Sequence, residues 1–194
     1  RTLTVLACAL LAAAMFALVN APAVAEASAT DRQLPIYCVQ RDQKMLAISF
    51  DAAWGNEDTQ QLIDILGKYN VKATFFVVGD WVDKYPESVK ALHDAGHEVM
   101  NHSNSHAHMS QLSSEAIVAD VEACNDKIEA VTGVRPTLIR PPYGEYDNNV
   151  ITSIRSIGME PIQWDVDSLD WKDLPAGEIT ERVVSRVQPG SIVL

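Results

Sequence analysis

Short apolar runs and helical periodicities alternate along the chain. The apolar runs predict strands at 45–50, 72–78, 97–101, 137–140, 159–165 and 191–194. Apolar residues at helical spacing between them predict helices at 59–69, 86–95, 113–132, 147–157 and 177–187. Because a helix most easily makes the crossover between parallel strands, this order predicts an α/β fold with a parallel sheet. The pattern leaves open a (β/α) barrel and an open doubly wound sheet.

The first 25 residues have a different pattern from the rest. An apolar run over 3–19 follows Arg1, and small residues stand at 23 and 25. This layout predicts a secretory signal peptide over 1–25, cleaved after Ala25. An N-terminal membrane anchor is the alternative, although the run falls short of the roughly 20 residues that span a bilayer. We therefore expect a secreted or cell-envelope protein, with membrane contact only if this segment is retained.

The remaining residues divide into a polar lead-in segment at 26–43 and one domain at 44–194. With 47% apolar residues the chain can bury a core. A net charge of −11 disfavours nucleic acid as a partner, because polyanion binding needs clustered Lys and Arg. We expect Cys38 and Cys124 to be unpaired, buried thiols, and the protein to be a monomer.

Polar residues gather where the predicted strands end. Asp51 follows the first strand, and polar segments at 101–108, 140–144 and 165–171 follow the third, fourth and fifth. No Gly-rich phosphate loop follows the first strand, which disfavours a nucleotide site. In a β/α barrel the loops after the strand ends form the active site. We therefore expect these segments to meet at one mouth, with His108 helping to line it.

Two histidines at that mouth have a spacing typical of metal ligands. His102 and His106 are four residues apart, so on a helical turn both imidazoles point the same way and can bind one ion. A pair of partly exposed loop histidines is the alternative. With Asp51 and the acidic 165–170 loop nearby, the pair favours metal-assisted hydrolysis, in which the ion activates water and Asp51 takes the proton.

The same mouth holds candidate residues for binding and orientation. Arg140 precedes two prolines that stiffen the turn, and its guanidinium can hold a carboxylate bidentately; a structural ion pair is the equal alternative. A backbone N–H of the turn at 142–144 can serve a developing oxyanion. Among the tryptophans, we expect only Trp54 and Trp171 to face a ligand.

Four ordered motifs resemble those of a known family. Phe50-Asp51, His102-Ser-x-x-His106, Arg140-Pro-Pro-Tyr143 and Asp170-Trp171 resemble the NodB-type polysaccharide deacetylases of carbohydrate esterase family four. The resemblance covers about residues 44–194, and Phe50-Asp-Ala-Ala-Trp-Gly55 is most similar to exported sporulation or cell-wall members. It implies a distorted (β/α) barrel, incomplete at its C-terminal end. It also implies a metal-dependent hydrolase that removes N-acetyl groups from amino-sugar polysaccharides such as peptidoglycan or chitin, by cleaving a non-peptide C–N bond.

The resemblance implies a role for each matched residue. Asp51 matches the catalytic base, and Arg140 the arginine that orients it. His102 and His106 match the imidazole ligands of a divalent metal, which would be zinc, cobalt or manganese. The backbone N–H of Tyr143 matches an oxyanion donor, Asp170 an acid that tunes a catalytic histidine, and Trp171 a wall of the acetyl pocket. Trp54, Tyr143 and Trp171 are thus the candidate substrate-binding residues.

Two departures from the family pattern carry consequences. The family usually has a second Asp, the third metal ligand, where this chain has Ala52, so the metal is expected to rely on water, Asp51, Glu57 or Asp58. The family's last motif, Leu-x-His, supplies the general acid and should begin at about Leu194, so we expect the catalytic histidine to lie beyond that residue. The chain as given is then a truncated domain that lacks this acid.

Two other functions stay open on the sequence. A metal-independent β/α-barrel glycosidase would use paired carboxylates from Asp51, Asp167 and Asp170, and it gives the histidine pair no role. A noncatalytic exported glycan-binding domain would explain Ala52.

Overall fold

A computed structural model of the protein describes residues 32–194, so the predicted signal segment lies outside the described residues. Its strands are β1 (Ala47–Ala52), β2 (Thr74–Val77), β3 (Glu98–Asn101), β4 (Leu138–Ile139), β5 (Glu160–Pro161) and β6 (Ile192–Val193). Its helices are α1 (Thr59–Lys68), α2 (Gly79–Lys84), α3 (Pro86–Asp94), α4 (Ser114–Thr132), α5 (Asn148–Ser156) and α6 (Ala176–Val184). Within 32–194, no helix has the length and apolar character needed to cross a membrane.

The strands form one parallel sheet in the order β5-β4-β3-β2-β1-β6. The chain after β5 then reaches the free edge of β6, where Val166 and Val193 form a parallel bridge. The backbone N–H of Leu194 donates to the carbonyl oxygen of Val166 at 2.9 Å. The sheet therefore curls into a distorted barrel, as the family resemblance implied, and is not an open sheet.

The lead-in residues pair with the chain at β5 on one side and at the start of β6 on the other. Ile36 donates its N–H to the carbonyl oxygen of Pro161 at 2.9 Å, and Cys38 bridges to Ser191 in antiparallel fashion. Gly190 has a φ of 89°, and a Cβ on it would lie 1.7 Å from the carbonyl oxygen of Val39, so only glycine fits there. Cys38 and Cys124 are unpaired as expected, but Cys38 is exposed because it lies in this outer segment.

Alternation along β2 divides its side chains between two apolar layers. Phe75 and Val77 pack with α2, α3 and α4 in the outer core, whereas Phe76 packs inside the barrel with Ile162 and Ile192. The barrel interior is thus filled with apolar side chains below its carboxyl end. The polar side chains therefore gather at the carboxyl end of the strands, beyond this apolar layer.

The helices agree with the predicted pattern, with one addition. Ser113 and Asp147 cap α4 and α5 by accepting hydrogen bonds from the N–H groups of Ala116 and Val150. Helix α2 was not predicted, because its six residues are too few to show a helical period. It is held by Trp81 and Val82, which pack in the outer core. Strands β4, β5 and β6 are shorter than the predicted runs, since only two residues of each form a continuous strand.

His97 generates a prediction about stability. Its Nδ1 accepts the N–H of Ala73 at 3.2 Å, and burial, followed by the charge of Lys72, lowers the pKa of the imidazole. The unfolded state therefore binds the proton more readily, so this contribution to stability is complete above about pH 6.5 and is lost as the pH falls. Urea unfolding at pH 8 and pH 5 measures how much the free energy of unfolding falls with pH. This fall should be smaller for His97→Asn than for the original protein, because the Asn amide oxygen can accept the same bond and does not titrate.

His93→Asn is the matched control, because it removes an imidazole that makes no contact of this kind with Ala73. In this control, the free energy of unfolding should fall between pH 8 and pH 5 by as much as in the original protein. An equal loss in His97→Asn and the original protein would contradict the assignment.

Candidate active site

A cavity of about 700 Å³ lies at the carboxyl end of the barrel. The sequence predicted that several polar and aromatic residues would meet here, and the structure places them in its lining: Asp51, Trp54, His102, His106, Tyr143, Asp170 and Trp171. These residues come from four loops that are far apart in the chain. The position agrees with the general rule for barrels, since the loops after parallel strands meet at one face.

Arg140 lies beneath the cavity and is fully buried. Its Nη1 donates to Asp51 Oδ1 at 2.8 Å, and its Nη2 donates to Ser49 Oγ at 2.8 Å and to the carbonyl oxygen of Gln163 at 3.2 Å. The guanidinium also packs over the Phe76 ring, 4.3 Å from its centroid. These contacts fix one carboxylate oxygen of Asp51 and leave the other directed at the histidines.

His102 is buried and held in one orientation. Its Nδ1 is 2.7 Å from the carbonyl oxygen of Arg140, which can only accept, so Nδ1 carries the proton. In the neutral ring Nε2 then has a lone pair, and this atom lies 3.6 Å from Asp51 Oδ2. A lone pair and a carboxylate oxygen facing each other are an arrangement that a cation between them would stabilise.

His106 stands beside His102, with ring centroids 5.0 Å apart. The residue has a φ of 56°, and its N–H donates to Ser103 Oγ at 2.8 Å, which stabilises this turn. Burial, and then the neighbouring His102, lower the pKa of His106, so the ring is neutral at neutral pH. Neutral imidazole is the form that binds metals, and its buried Nδ1 has no partner within 32–194.

The donors near Asp51 are of the right type for a divalent metal but are one short. Among the described residues, no three His, Cys, Asp or Glu side chains are arranged to hold an ion. Ala52 packs against the outer core, and neither Glu57 nor Asp58 lines the cavity. The two imidazoles thus fit a metal only if water molecules or the Asp51 carboxylate supply its remaining ligands. Glu57 and Asp58 are not available as substitutes.

Tyr143 is held by aromatic neighbours on both sides. Its φ is 60°, a conformation that few residues other than glycine adopt. Its ring packs edge-on to His106 at 4.5 Å and stacks on His108 at 4.2 Å between centroids. His108 was expected to help line the site, but it instead pairs with Glu145 Oε2 at 3.0 Å and supports Tyr143 from behind.

The loop at 165–171 contributes only part of its acids. Asp167, Asp170 and Trp171 line the cavity, and the Asp170 carboxylate accepts the N–H of Trp171 at 2.8 Å. Asp165 was expected at the mouth, but its Oδ1 accepts the N–H of Ile192 at 2.7 Å, and its Oδ2 accepts the Ser191 hydroxyl at 2.8 Å. Its carboxylate therefore binds the residues at the start of β6 and does not line the cavity.

Ser49 and Trp164 are among the lining residues that sequence reasoning missed. Ser49 lies two residues before Asp51 on β1, so strand alternation places both on one face, and this signal could have identified it. Trp164 was not among the tryptophans expected to face a ligand. It lies against the guanidinium of Arg140 with 5.4 Å between that group and the ring centroid.

The comparisons with known proteins agree with this geometry. Residues 39–162 match the family model for polysaccharide deacetylase. The chain is 36% identical over 160 residues to the uncharacterized protein YlxY of Bacillus subtilis, covering 82% of this chain and 50% of YlxY. It is 38% identical to the peptidoglycan-N-acetylmuramic acid deacetylase PdaC of B. subtilis, covering 80% of this chain and 33% of PdaC. The chain therefore belongs to the polysaccharide deacetylase family, although it spans half or less of these relatives.

A solved structure adds a qualification. The chain superposes on BA3943 of Bacillus anthracis, a pseudoenzyme of carbohydrate esterase family four, with a TM-score of 0.80 and 37% identity. The match covers 83% of this chain and 57% of BA3943. A BA3943 mutant with restored enzymatic activity superposes with the same TM-score of 0.80. The family fold is thus compatible with both active and inactive sites.

The buried Arg140 generates a prediction for stability. Arg140→Gln leaves Asp51, Ser49 and the Gln163 carbonyl oxygen without their shared donor, so we expect a loss of about 3–5 kcal/mol in the free energy of unfolding. Asp51→Asn should lower the free energy of unfolding by less, because the arginine keeps Ser49 and the Gln163 carbonyl oxygen as acceptors. Urea unfolding of both variants measures the difference; equal losses would show that Asp51 is the dominant partner of the guanidinium.

Proposed function

We propose that this protein is a metal-dependent hydrolase that removes N-acetyl groups from an amino-sugar polysaccharide. The observation that carries the proposal is Asp51, which a buried arginine orients toward the imidazole of His102, beside His106, in one open cavity. The names of the relatives support the reaction class, since PdaC is a peptidoglycan deacetylase. They also favour a site of action in the cell envelope, which the predicted secretory signal supports.

The residues of the chain divide the chemistry between them. Asp51 accepts the proton of a water molecule as its oxygen attacks the acetamide carbonyl carbon. Arg140 is a positioning residue that keeps the carboxylate aimed. The backbone N–H of Tyr143 stabilises the negative charge that develops on the carbonyl oxygen. The C–N bond then breaks to give acetate and an amine, and the nitrogen takes up the proton that Asp51 accepted from the water, with the Asp170 carboxylate lining the same cavity.

A divalent ion such as zinc, cobalt or manganese, held by His102 and His106, would supply acidity to the attacking water and polarise the carbonyl. The cavity walls then select the substrate. Trp171 and Trp54 are 65% and 80% exposed, and each presents an apolar ring to an acetyl group or a sugar. Shape and apolar contact at these walls would hold an N-acetylated sugar over Asp51.

A noncatalytic glycan-binding domain is the second candidate function. The observation that favours it is Ala52, which leaves the metal without a third side-chain ligand within the described residues. The similarity to the BA3943 pseudoenzyme points the same way. Both candidates share the cavity and its aromatic walls, and they differ only in whether water is activated there.

Acetate release from N-acetylated oligosaccharides separates the candidates, measured with added Zn²⁺, Co²⁺ or Mn²⁺ and with a chelator. Release that depends on the metal supports the deacetylase. Glycan binding without release under any metal supports the binding domain. Release of reducing ends that the chelator does not affect would instead support a glycosidase.

Two substitutions test the roles of Asp51 and His102. His102→Ala should lower metal affinity by at least about hundredfold and abolish acetate release, because it removes one of two imidazoles. Asp51→Asn should lower turnover by about 10²–10⁴-fold while largely retaining the metal, since only the base is lost. Calorimetry with Zn²⁺ and an acetate assay measure both. A fully active Asp51→Asn variant would show that another group is the base.

Ala52→Asp tests whether the missing ligand limits the site. The added carboxylate should raise affinity for Zn²⁺ or Co²⁺ by about ten- to hundredfold and raise acetate release with it. Ala52→Asn is the matched control, because its side chain has nearly the same size but carries no negative charge. If Ala52→Asp destabilises the protein without a gain in metal affinity, position 52 faces the apolar core too closely to supply a ligand.

A further inference from the structure

Two buried amide side chains lie beneath the histidine loop, the segment at 102–108 that carries the two imidazoles. Asn101 ends β3 and Asn125 lies in α4, and neither side chain lines the active-site cavity. Asn101 Nδ2 donates to Asn125 Oδ1 at 2.8 Å and to the carbonyl oxygen of Val121 at 2.9 Å. We call Asn101 and Asn125 the buried amide pair. Because a polar group removed from water is costly unless it is hydrogen-bonded, a satisfied pair of this kind specifies one arrangement of the elements that it joins.

The hydrogen bonds of the buried amide pair fix the direction of the Asn101 side chain. Its Oδ1 accepts the N–H of Ser103 at 2.7 Å. Since the Val121 carbonyl can only accept and the Ser103 N–H can only donate, one orientation of the Asn101 amide satisfies both. Asn125 Nδ2 in turn donates to Met159 Sδ at 3.1 Å, which leaves Asn125 Oδ1 for Asn101. The bonds therefore run from α4 through Asn101 to the backbone of the histidine loop.

This bonding stabilises an unfavourable backbone conformation in the histidine loop. Ser103 and His106 have φ values of 67° and 56°, in the left-handed region that residues other than glycine rarely adopt. Ser103 is fully buried, and its Oγ accepts the N–H of His106 at 2.8 Å. Such a conformation persists only where its surroundings hold it, and Asn101 Oδ1 holds Ser103. The turn of the loop, and with it the position of His106, thus depends on the buried amide pair.

The contacts of Asn101 and of α4 extend to the other imidazole and to the rest of the loop. The carbonyl oxygen of Asn101 accepts the N–H of Arg140 at 2.9 Å, and the carbonyl oxygen of Arg140 is 2.7 Å from His102 Nδ1. Helix α4 makes a second contact with the loop, in which Asp120 Oδ2 accepts the N–H of Asn104 at 2.8 Å. Both imidazoles are therefore positioned from a helix that lies outside the cavity.

We propose that Asn101 and Asn125 are positioning residues that preset His102 and His106 for one divalent ion, so that α4 controls the metal affinity of the site. The inference rests on the proposed function. Because Ala52 supplies no carboxylate, few side-chain ligands are present, and an ion gains most from two imidazoles that are already in place. The metal affinity should therefore be sensitive to Asn125, although this residue does not line the cavity.

Asn125→Ala tests the inference, because it removes the acceptor that holds Asn101 Nδ2. Calorimetry should show a fall in Zn²⁺ affinity of about ten- to hundredfold, the range typical of residues that orient metal ligands. In the metal-free protein, hydrogen exchange of the Ser103 and His106 amides should become at least about tenfold faster relative to the amides of β2, because the histidine loop opens locally. This second measurement requires neither metal nor activity.

Ile128→Val is the matched control, since Ile128 is fully buried on the same helix and the substitution removes a methyl group but no hydrogen bond. It should leave the Zn²⁺ affinity within about twofold of the original value and the exchange of both loop amides unchanged relative to β2. Equal losses in the two variants, or no loss in Asn125→Ala, would overturn the positioning role. Metal-dependent acetate release by the original protein would still support the proposed function in that case.

The original metal-free protein provides a further measurement if Asn125→Ala does not fold. Its Ser103 and His106 amides should exchange as slowly as those of β2, and exchange as fast as that of an exposed loop residue such as Trp54 would overturn the inference. Absence of Zn²⁺ binding by the original protein would overturn the inference and the metal dependence of the proposed function together. Slow exchange and Zn²⁺ binding without acetate release would support the positioning role and overturn the hydrolase.

Discussion

The buried guanidinium of Arg140 is the constraint on which the rest of the site depends. A charge removed from water is costly unless partners satisfy it, and here Asp51, Ser49 and the Gln163 carbonyl oxygen share that role. These partners belong to β1 and to the chain after β5, so one side chain links distant parts of the barrel. The carbonyl oxygen of Arg140 also orients His102. A single residue therefore sets the orientation of both the Asp51 carboxylate and the His102 imidazole.

The side chains around Asp51 show how closely an enzyme and a binding protein can resemble each other in this family. Asp51, His102 and His106 converge, yet Ala52, where the family usually has a second Asp, directs a methyl group into the outer core. The cavity, the aromatic walls and the buried arginine do not depend on a carboxylate at this position. Recognition of a glycan can therefore persist independently of hydrolysis, because apolar contact and shape do not require the metal.

The sequence by itself determined the order of strands and helices, the parallel pairing and the mouth at which the motifs meet, because local periodicity reports which face of each element is apolar. It could not show that Asp165 turns to β6, that Trp164 faces the cavity or that β5 and β6 are joined through Val166. Those features depend on the register and closure of segments far apart in the chain. Asp51 and Arg140 are 89 positions apart, and only the curled sheet brings their side chains within 2.8 Å.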